Sequence, residues 1–152
     1  MPAGVFGVMT DGSAGAISTD ELFSGKKVVL VSVPGAFTPT CSAKHLPGFL
    51  EHAAELRSKG VDTIACMAVN DVFVMNAWGK DQGVGDDVLM LADGNGDYAE
   101  ALGLDVDSSA FGMGKRSKRF AIIVDDGVAV HVAVDAPGTF EVSKAEAILE
   151  AL

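Results

Sequence analysis

One cysteine of this sequence stands where a thiol can act as a nucleophile. Cys41 follows residues 34–40, PGAFTPT, and opens a helical pattern shortly after the β-branched run 28–33. Unpaired backbone N–H groups and the helix dipole favour an anion at a helix N-terminus, so this position favours the thiolate, the reactive form of cysteine. A free cysteine is also common as a small buried hydrophobic residue, and position alone leaves the two interpretations evenly balanced.

Thr38 precedes Cys41 by three residues, the spacing at which a dithiol oxidoreductase carries its first cysteine. A threonine cannot form a disulfide, so exchange through a paired Cys-x-x-Cys site is excluded. Its hydroxyl can donate one hydrogen bond and accept others beside the thiolate, which suits the binding of a small polar substrate. The alternative role, a loop or capping threonine, is the commoner one for a threonine taken alone.

The other thiol and the histidines carry weaker signals. Cys66 lies in an apolar run, where a cysteine is most often inert packing. His45 lies four residues after Cys41 on the same helical face, which leaves open a Cys–His pair for acyl transfer and an orienting role in the site. His52 and His131 are interpreted as surface or sheet residues. No metal-ligand spacing or nucleotide-binding glycine motif occurs, so we expect no metal and no bound cofactor.

Composition limits the partners of this chain. Its 152 residues, 49% hydrophobic and 21% charged, predict a single domain over residues 1–152. The net charge of −10 disfavours nucleic acids and anionic membrane surfaces. No apolar run approaches the roughly 20 residues of a spanning helix, and no secretory signal pattern is visible. We therefore expect a cytoplasmic protein with free thiols, although a removed organelle-targeting peptide would leave no trace in the sequence.

A basic cluster stands out in this acidic chain. Lys115, Arg116, Lys118 and Arg119 supply four of the eleven basic residues within five positions. Such a cluster forms a local positive site that can stabilise a thiolate and the charge of an oxyanion-like transition state. The alternative is a solvated loop.

The elements that position these residues alternate between strand and helix. Buried strands are predicted at 28–33, 61–69 and 88–92, and an antiparallel hairpin at 119–134. Capping-box spacings at Ser18 and Ser143 predict the starts of the first and last helices, and Pro47 should loosen the helix after Cys41. These elements predict a three-layer α/β domain with a mixed central sheet, whose order resembles the thioredoxin arrangement with insertions.

The segment VPGAFTPTCSAKHLPGF resembles the active-site segment of the peroxiredoxins, whose signature P-x-x-x-T-x-x-C is matched by Pro34, Thr38 and Cys41. The residues on both sides of the cysteine resemble the type II, or peroxiredoxin-5-like, branch. The similarity covers nearly the whole chain, because it continues through these segments: 69–71, 78–79, 91–93, 114–128 and the C-terminal helix.

The resemblance implies a thiol-dependent peroxidase that reduces hydrogen peroxide and organic hydroperoxides through a Cys41 sulfenic acid, without a cofactor. It implies that Arg119, rather than Arg116, is the catalytic arginine. Thr38 and Arg119 would hold the peroxide oxygens, and Pro34 would shield the pocket from water. The remaining pocket residues are predicted to be Phe37, His45 and Phe120.

The second half of the catalytic cycle must use another thiol. Some peroxiredoxins carry a resolving cysteine after the final hairpin, but residues 133–152 contain none. A one-cysteine cycle is therefore favoured, with glutathione or glutaredoxin, or else thioredoxin, as the reductant. The resemblance also suggests a homodimer with its interface near the active-site loops. The competing hypothesis is a thioredoxin-like binding, chaperone or redox-sensing module, which would not require Pro34, Thr38, Cys41 and Arg119 together.

Overall fold

A mixed sheet of seven strands forms the centre of the protein in the computed structural model, which describes residues 1–152. Its strands are β1 (Val5–Thr10), β2 (Ser13–Ser18), β3 (Lys27–Ser32), β4 (Thr63–Ala68), β5 (Leu89–Ala92), β8 (Phe120–Asp125) and β9 (Val128–Val134). Their order across the sheet is β2-β1-β5-β4-β3-β8-β9. Strands β3, β4 and β5 are parallel, and the other pairs are antiparallel. The predicted mixed sheet is confirmed.

Helices cover both faces of this sheet. They are α1 (Thr19–Phe23), α2 (Leu46–Glu51), α3 (Ala53–Ser58), α4 (Val72–Gln82), α5 (Asp97–Leu102) and α6 (Ala145–Ala151). A π-helical turn, Cys41–His45, leads directly into α2. Two further strands, β6 (Asp105–Asp107) and β7 (Lys115–Ser117), form a separate small sheet, with a 3₁₀ turn at Ser109–Phe111 between them. No helix is long and apolar enough to cross a membrane.

The central strands are buried on both faces, as their β-branched runs predict. Along β3, Val29 and Val31 pack with α2, α3, α4 and α6, on what we call the Cys41 face. Val28 and Leu30 pack with α1 and α5 on the opposite face. Successive strand residues point to opposite faces. This alternation decides which residues near β8 can reach Cys41.

The capping box predicted at Ser18 and the loosened helix predicted around Pro47 are both confirmed. The N-terminal hairpin turns at Asp11-Gly12, and the Ser18 hydroxyl and Glu21 form the predicted capping box at α1. Asp71 caps α4 through a hydrogen bond from the Val74 amide. The helical segment after Cys41 is loosened into a π turn ahead of Pro47, and His52 divides the rest into α2 and α3.

The predicted capping box at Ser143 is wrong. Helix α6 begins at Ala145 with Lys144 as its N-cap, and no side chain caps it. The Ser143 hydroxyl is instead a donor to the Asp135 carboxylate, and Ser143 is fully buried. The spacing Ser-x-x-Glu is present, but the charge-assisted hydrogen bond to the buried Asp135 carboxylate fixes this hydroxyl there instead of at the start of α6.

Candidate active site

Cys41 lies at the start of the π turn that follows the carboxyl end of β3. Its side chain is fully buried on the Cys41 face. The Ser42 amide donates to the Thr38 carbonyl at 3.0 Å, and the Leu46 amide donates to the Cys41 carbonyl, which closes the wide turn. His45, on the same turn, is also fully buried, so the helix directs both chemically active side chains inwards.

Arg119 reaches the sulfur from the neighbouring strand. Its Nη2 lies 3.2 Å from Cys41 Sγ. Because β8 runs antiparallel to β3, with Phe120 opposite Ser32, the residue before β8 stands at the edge of the sheet where the chain leaves β3. A guanidinium at hydrogen-bond distance stabilises a thiolate by charge and by donation. The predicted pairing of Arg119 with Cys41 therefore has a direct structural counterpart.

His45 holds the other nitrogen of this guanidinium. Arg119 Nη1 donates to His45 Nδ1 at 2.8 Å, and His45 Nε2 donates to the Ser143 carbonyl at 3.0 Å. Arginine has no acceptor, so this arrangement requires the neutral Nε2–H tautomer. Burial, together with the adjacent charge of Arg119, lowers the pKa of His45 to about 4. Both ring nitrogens are engaged away from the sulfur, so the Cys–His pair for acyl transfer is wrong and the orienting role is supported.

Residues 33–40, which join β3 to the π turn and which we call the entrance loop, border the site. The Thr38 hydroxyl donates to the Gly35 carbonyl at 2.7 Å, which leaves its oxygen free to accept a hydrogen bond from a bound molecule. The Ala36 amide donates to Asn70 Oδ1 at 3.0 Å. Phe37 adopts a left-handed backbone conformation, φ 63°, which costs a non-glycine residue about 1–2 kcal/mol. The hydrogen bonds on either side of Phe37 hold the loop in this conformation.

Asn70 was not predicted as part of the site. It follows β4, the parallel neighbour of β3. Parallel strands end at the same edge of a sheet, so the residue after β4 lies beside the loop that follows β3. The topology, once predicted, would have indicated Asn70.

Of the two predicted aromatic walls, the one at Phe120 is wrong, and the one at Phe37 stays a prediction. Phe120 does not line the site, because its side chain is buried on the opposite face with Phe6 and Ile122. Arg119 and Phe120 are adjacent, so they cannot both point towards Cys41. Phe37 stands in the entrance loop and is half exposed. The aromatic rings that pack against His45 are those of Phe49 and Phe140.

Phe140 belongs to the loop between β9 and α6. Its ring centroid lies 5.1 Å from that of His45, in an edge-on arrangement, and 5.7 Å from Arg119 Cζ. The second distance is typical of a cation–π contact. The sequence contained no signal for this residue, since only the folded course of the loop brings it to the site.

The rest of the basic cluster faces elsewhere. Arg116 donates to the carbonyls of Met113 and Val69, at 2.9 and 3.1 Å, and Lys115 pairs with Glu100 at 2.7 Å. Arg116 lies against Gly35, so it packs behind the entrance loop without reaching the sulfur. Arg119, as predicted, is the arginine that contacts Cys41.

Cys66 occupies the middle of β4 and is fully buried on the Cys41 face. Burial, and to a smaller extent the charge of Cys41, raises the pKa of the Cys66 thiol. A buried neutral thiol is a poor nucleophile. Both cysteines are free, and no group of three His, Cys, Asp or Glu side chains is arranged to hold a metal ion.

The sequence and the fold of this chain are similar to those of known proteins. The family model described as Redoxin matches residues 1–149. Peroxiredoxin-2E, chloroplastic, of Arabidopsis thaliana is 50% identical over 143 residues, which are 93% of this chain and 61% of the relative. Peroxiredoxin-2B of the same plant is 53% identical over 135 residues, 89% of this chain and 83% of the relative. The chain thus spans only about three fifths of the chloroplastic relative.

A solved structure also matches. Reduced Prx3 of Vibrio vulnificus, in complex with H₂O₂, superposes with a TM-score of 0.95 at 51% identity. The match covers 99% of this chain and 94% of the other. The fold described above is therefore the fold of that protein.

The neutrality of His45 gives a first testable prediction. The imidazole of His45 should remain neutral, with its proton on Nε2, down to pH about 4, because burial and Arg119 oppose its protonation. His52 is an internal control: hydrogen bonds from its ring to the carboxylates of Glu55 and Glu146 raise its pKa. Nitrogen-15 NMR of the histidine rings across a pH titration would measure both.

The lowered pKa of His45 also fixes the direction in which this residue changes the stability of the protein with pH. The pKa of His45 lies below its unfolded value of 6.5, so the unfolded chain binds more protons, and this residue lowers stability as the pH falls below 6.5. A His45 ring that is protonated at pH 6, or that carries its proton on Nδ1, would contradict the assignment.

Proposed function

Because this chain belongs to the peroxiredoxin family, in its type II branch, we propose that it is a thiol peroxidase that reduces hydrogen peroxide and organic hydroperoxides with Cys41 as its nucleophile. The observation that carries the proposal is the 3.2 Å contact between Arg119 Nη2 and Cys41 Sγ. A binding or redox-sensing module, the competing hypothesis, has no need of a partly buried guanidinium aimed at its sulfur. The Vibrio relative was solved as a complex with H₂O₂, which supports the same substrate class.

The reaction begins with a nucleophilic displacement at oxygen. The Cys41 thiolate attacks one peroxide oxygen, an S–O bond forms, and the O–O bond breaks. The sulfur is oxidised to a sulfenic acid, which keeps the proton of the attacked oxygen. The peroxide is reduced, and its second oxygen leaves as hydroxide or alkoxide and takes a proton from solvent to become water or an alcohol.

Negative charge moves from the sulfur to the leaving oxygen during this step, and the Arg119 guanidinium can stabilise it at both atoms. Nη2 already faces the sulfur, so a peroxide oxygen bound beside Sγ meets the same cation. Such an interaction accelerates the reaction when it strengthens in the transition state. His45 keeps Nη1 occupied, so the guanidinium cannot rotate away from the sulfur.

The entrance loop supplies the remaining contacts. The Thr38 hydroxyl donates a hydrogen bond to the Gly35 carbonyl, so the hydroxyl oxygen is left to accept a hydrogen bond from the peroxide O–H. Pro34 lacks a backbone N–H and lies half buried after β3, where it shields the sulfur from water. Phe37, half exposed in the same loop, offers an apolar edge to the organic part of an alkyl hydroperoxide.

The cycle closes with an external thiol. Cys66 is the only other thiol, and it is fully buried in β4 with a raised pKa. The sulfenic acid is therefore reduced by glutathione or glutaredoxin, with thioredoxin as the other candidate. One thiol condenses with the sulfenic acid and releases water, and a second thiol reduces the mixed disulfide to regenerate Cys41.

The protein acts in the cytoplasm and works as a homodimer with its interface beside the entrance loop. Two free thiols and no disulfide are typical of a reducing compartment, and cell fractionation would test this placement.

Phe37, Phe73 and Phe111 are exposed to 52%, 66% and 83%. Large exposed aromatic side chains often mark an interaction surface.

The segments that carry these three phenylalanines contact the entrance loop. The Ala36 amide is bonded to Asn70, just before α4 and Phe73, and Gly35 lies next to Met113, two residues after Phe111. The three phenylalanines therefore stand on segments that meet at the loop.

A single charged substitution tests the dimer. Phe111→Glu should shift the protein from dimer to monomer in analytical ultracentrifugation, since it places a charge within a desolvated interface. Val130→Glu, another exposed apolar position, on β9, is the matched control and should leave the dimer intact. A wild-type protein that sediments as a monomer would contradict the proposal, and so would equal effects of both substitutions.

Substitution of one cysteine should abolish turnover, and substitution of the other should not. Cys41→Ser should abolish peroxide consumption, whereas Cys66→Ser should retain most of it, because only Cys41 contacts Arg119. The measurement is steady-state peroxide consumption with glutathione plus glutaredoxin, and separately with thioredoxin, while intact mass follows the oxidised species. Equal losses in both variants would contradict the one-cysteine cycle. A wild-type protein that consumes no peroxide with any of these thiols would overturn the peroxidase proposal.

A further inference from the structure

A buried carboxylate that does not contact Cys41 lies behind the site. Asp135, at the end of β9, is only 5% exposed. Its Oδ1 accepts hydrogen bonds from the amides of Glu141 and Val142, both at 2.9 Å. Its Oδ2 accepts from the amide of Ser143 at 3.2 Å and from the Ser143 hydroxyl at 2.5 Å. One carboxylate thus holds three consecutive residues at the far end of the loop 135–143.

The near end of this loop is fixed as well. The Asp135 amide donates to the Arg119 carbonyl at 3.0 Å, so the loop starts beside the backbone of the catalytic arginine. Residues 136–139 then form a turn in which the Thr139 amide donates to the Ala136 carbonyl, with Pro137 and Gly138 (φ 77°) at the central positions. Pro-Gly at these positions is typical of a type II turn. Hydrogen bonds therefore hold both ends of the loop and its central turn.

The anchored loop presents two groups to the site. The Ser143 carbonyl accepts from His45 Nε2 at 3.0 Å, and the Phe140 ring packs against both His45 and Arg119. His45 in turn accepts from Arg119 Nη1 at 2.8 Å. A continuous chain of contacts therefore runs from the Asp135 carboxylate through Ser143, His45 and Arg119 to the sulfur of Cys41.

We propose that Asp135 is a positioning residue for Arg119: by fixing the loop 135–143, it holds His45 in the Nε2–H tautomer and keeps the Arg119 guanidinium directed at Cys41. The proposal rests on the peroxidase function proposed above. If the loop moved, the imidazole could place its proton on Nδ1, and two donors would then face each other between His45 and Arg119. A displacement of about 1 Å in a catalytic group can slow a reaction by about a hundredfold.

The state of Asp135 supports this role. Burial raises the pKa of this carboxyl group, but the hydrogen bonds from Ser143, Val142 and Glu141 outweigh burial and lower the pKa below its usual value. The residue is therefore a carboxylate, an acceptor on both oxygens. An amide at this position would offer a single acceptor oxygen, so at least one of the backbone amides that Asp135 now accepts from, those of Glu141, Val142 and Ser143, would face its NH₂ group.

Asp135→Asn is the direct test. The rate at which hydrogen peroxide oxidises Cys41 should fall by about ten- to a hundredfold, because the guanidinium loses its orientation. In an Arg119→Ala background the same substitution should cause almost no further decrease, since residues that act through one another are not additive. Nitrogen-15 NMR should show that the His45 proton no longer resides on Nε2 alone.

Asp93→Asn is the matched control. Asp93 is also buried, 4% exposed, and its carboxylate accepts from the amides of Tyr98 and Ala99 at the start of α5. Both of those residues pack on the opposite face. This variant should lower the melting temperature while the oxidation rate and the His45 tautomer stay as in the wild type. If Asp135→Asn fails to fold, Ser143→Ala removes only the hydroxyl donor and should slow oxidation in the same Arg119-dependent way.

The outcomes separate the two proposals. The positioning role is supported if Asp135→Asn slows oxidation in the wild-type background but not in the Arg119→Ala background, and if the His45 tautomer changes. An equal slowing in both backgrounds, or a wild-type rate and tautomer in Asp135→Asn, overturns it. A wild-type protein that peroxide does not oxidise overturns the peroxidase function instead, and the NMR comparison of wild type with Asp135→Asn still tests the positioning of His45.

Discussion

The contact between Arg119 Nη2 and Cys41 Sγ is the interaction on which the rest of this structure depends. The sulfur is fully buried, and a buried anion is costly unless a charged partner is fixed beside it. Arginine remains charged at any ordinary pH, and its planar group can donate to the sulfur and to a second acceptor at once. The neutral imidazole of His45 is that second acceptor, so the site holds one cation and one position for an anion.

The sheet topology explains why these groups meet. Cys41 follows β3 after a short loop, and Arg119 stands just before β8, the antiparallel neighbour of β3. Asn70 follows β4, the parallel neighbour on the other side, and holds the entrance loop through Ala36. Three chain segments with large sequence separations thus converge at one edge of the sheet. The site is built on the ends of rigid central strands, which suits a reaction that needs fixed geometry.

The sequence was sufficient for the parts of the site that depend on local pattern. The strand run before Cys41, the Thr38 spacing and the basic cluster are recognisable from residue types and spacing alone, and resemblance singled out Arg119. The strand alternation rule would also have excluded Phe120 from the pocket, because it follows Arg119 directly. The contributions of Phe140, Ser143 and Asp135 could not be predicted, since they come from an irregular loop whose course is set by one buried carboxylate. The capping-box pattern at Ser143 was misleading for the same reason.

The rate at which hydrogen peroxide oxidises Cys41 in the Arg119→Lys variant tests the role of the contact between Arg119 and Cys41 most directly. Lysine keeps the positive charge but cannot donate to Cys41 and His45 in the same fixed geometry. Trp78, the only tryptophan, donates to Ser42 Oγ at 3.0 Å, so its fluorescence in a stopped-flow instrument reports on the residue next to the sulfur. The second-order rate constant should fall by about a hundredfold or more, the typical cost of losing one preorganised donor. A rate equal to that of the wild type would show that the guanidinium contact does not govern the reactivity of Cys41.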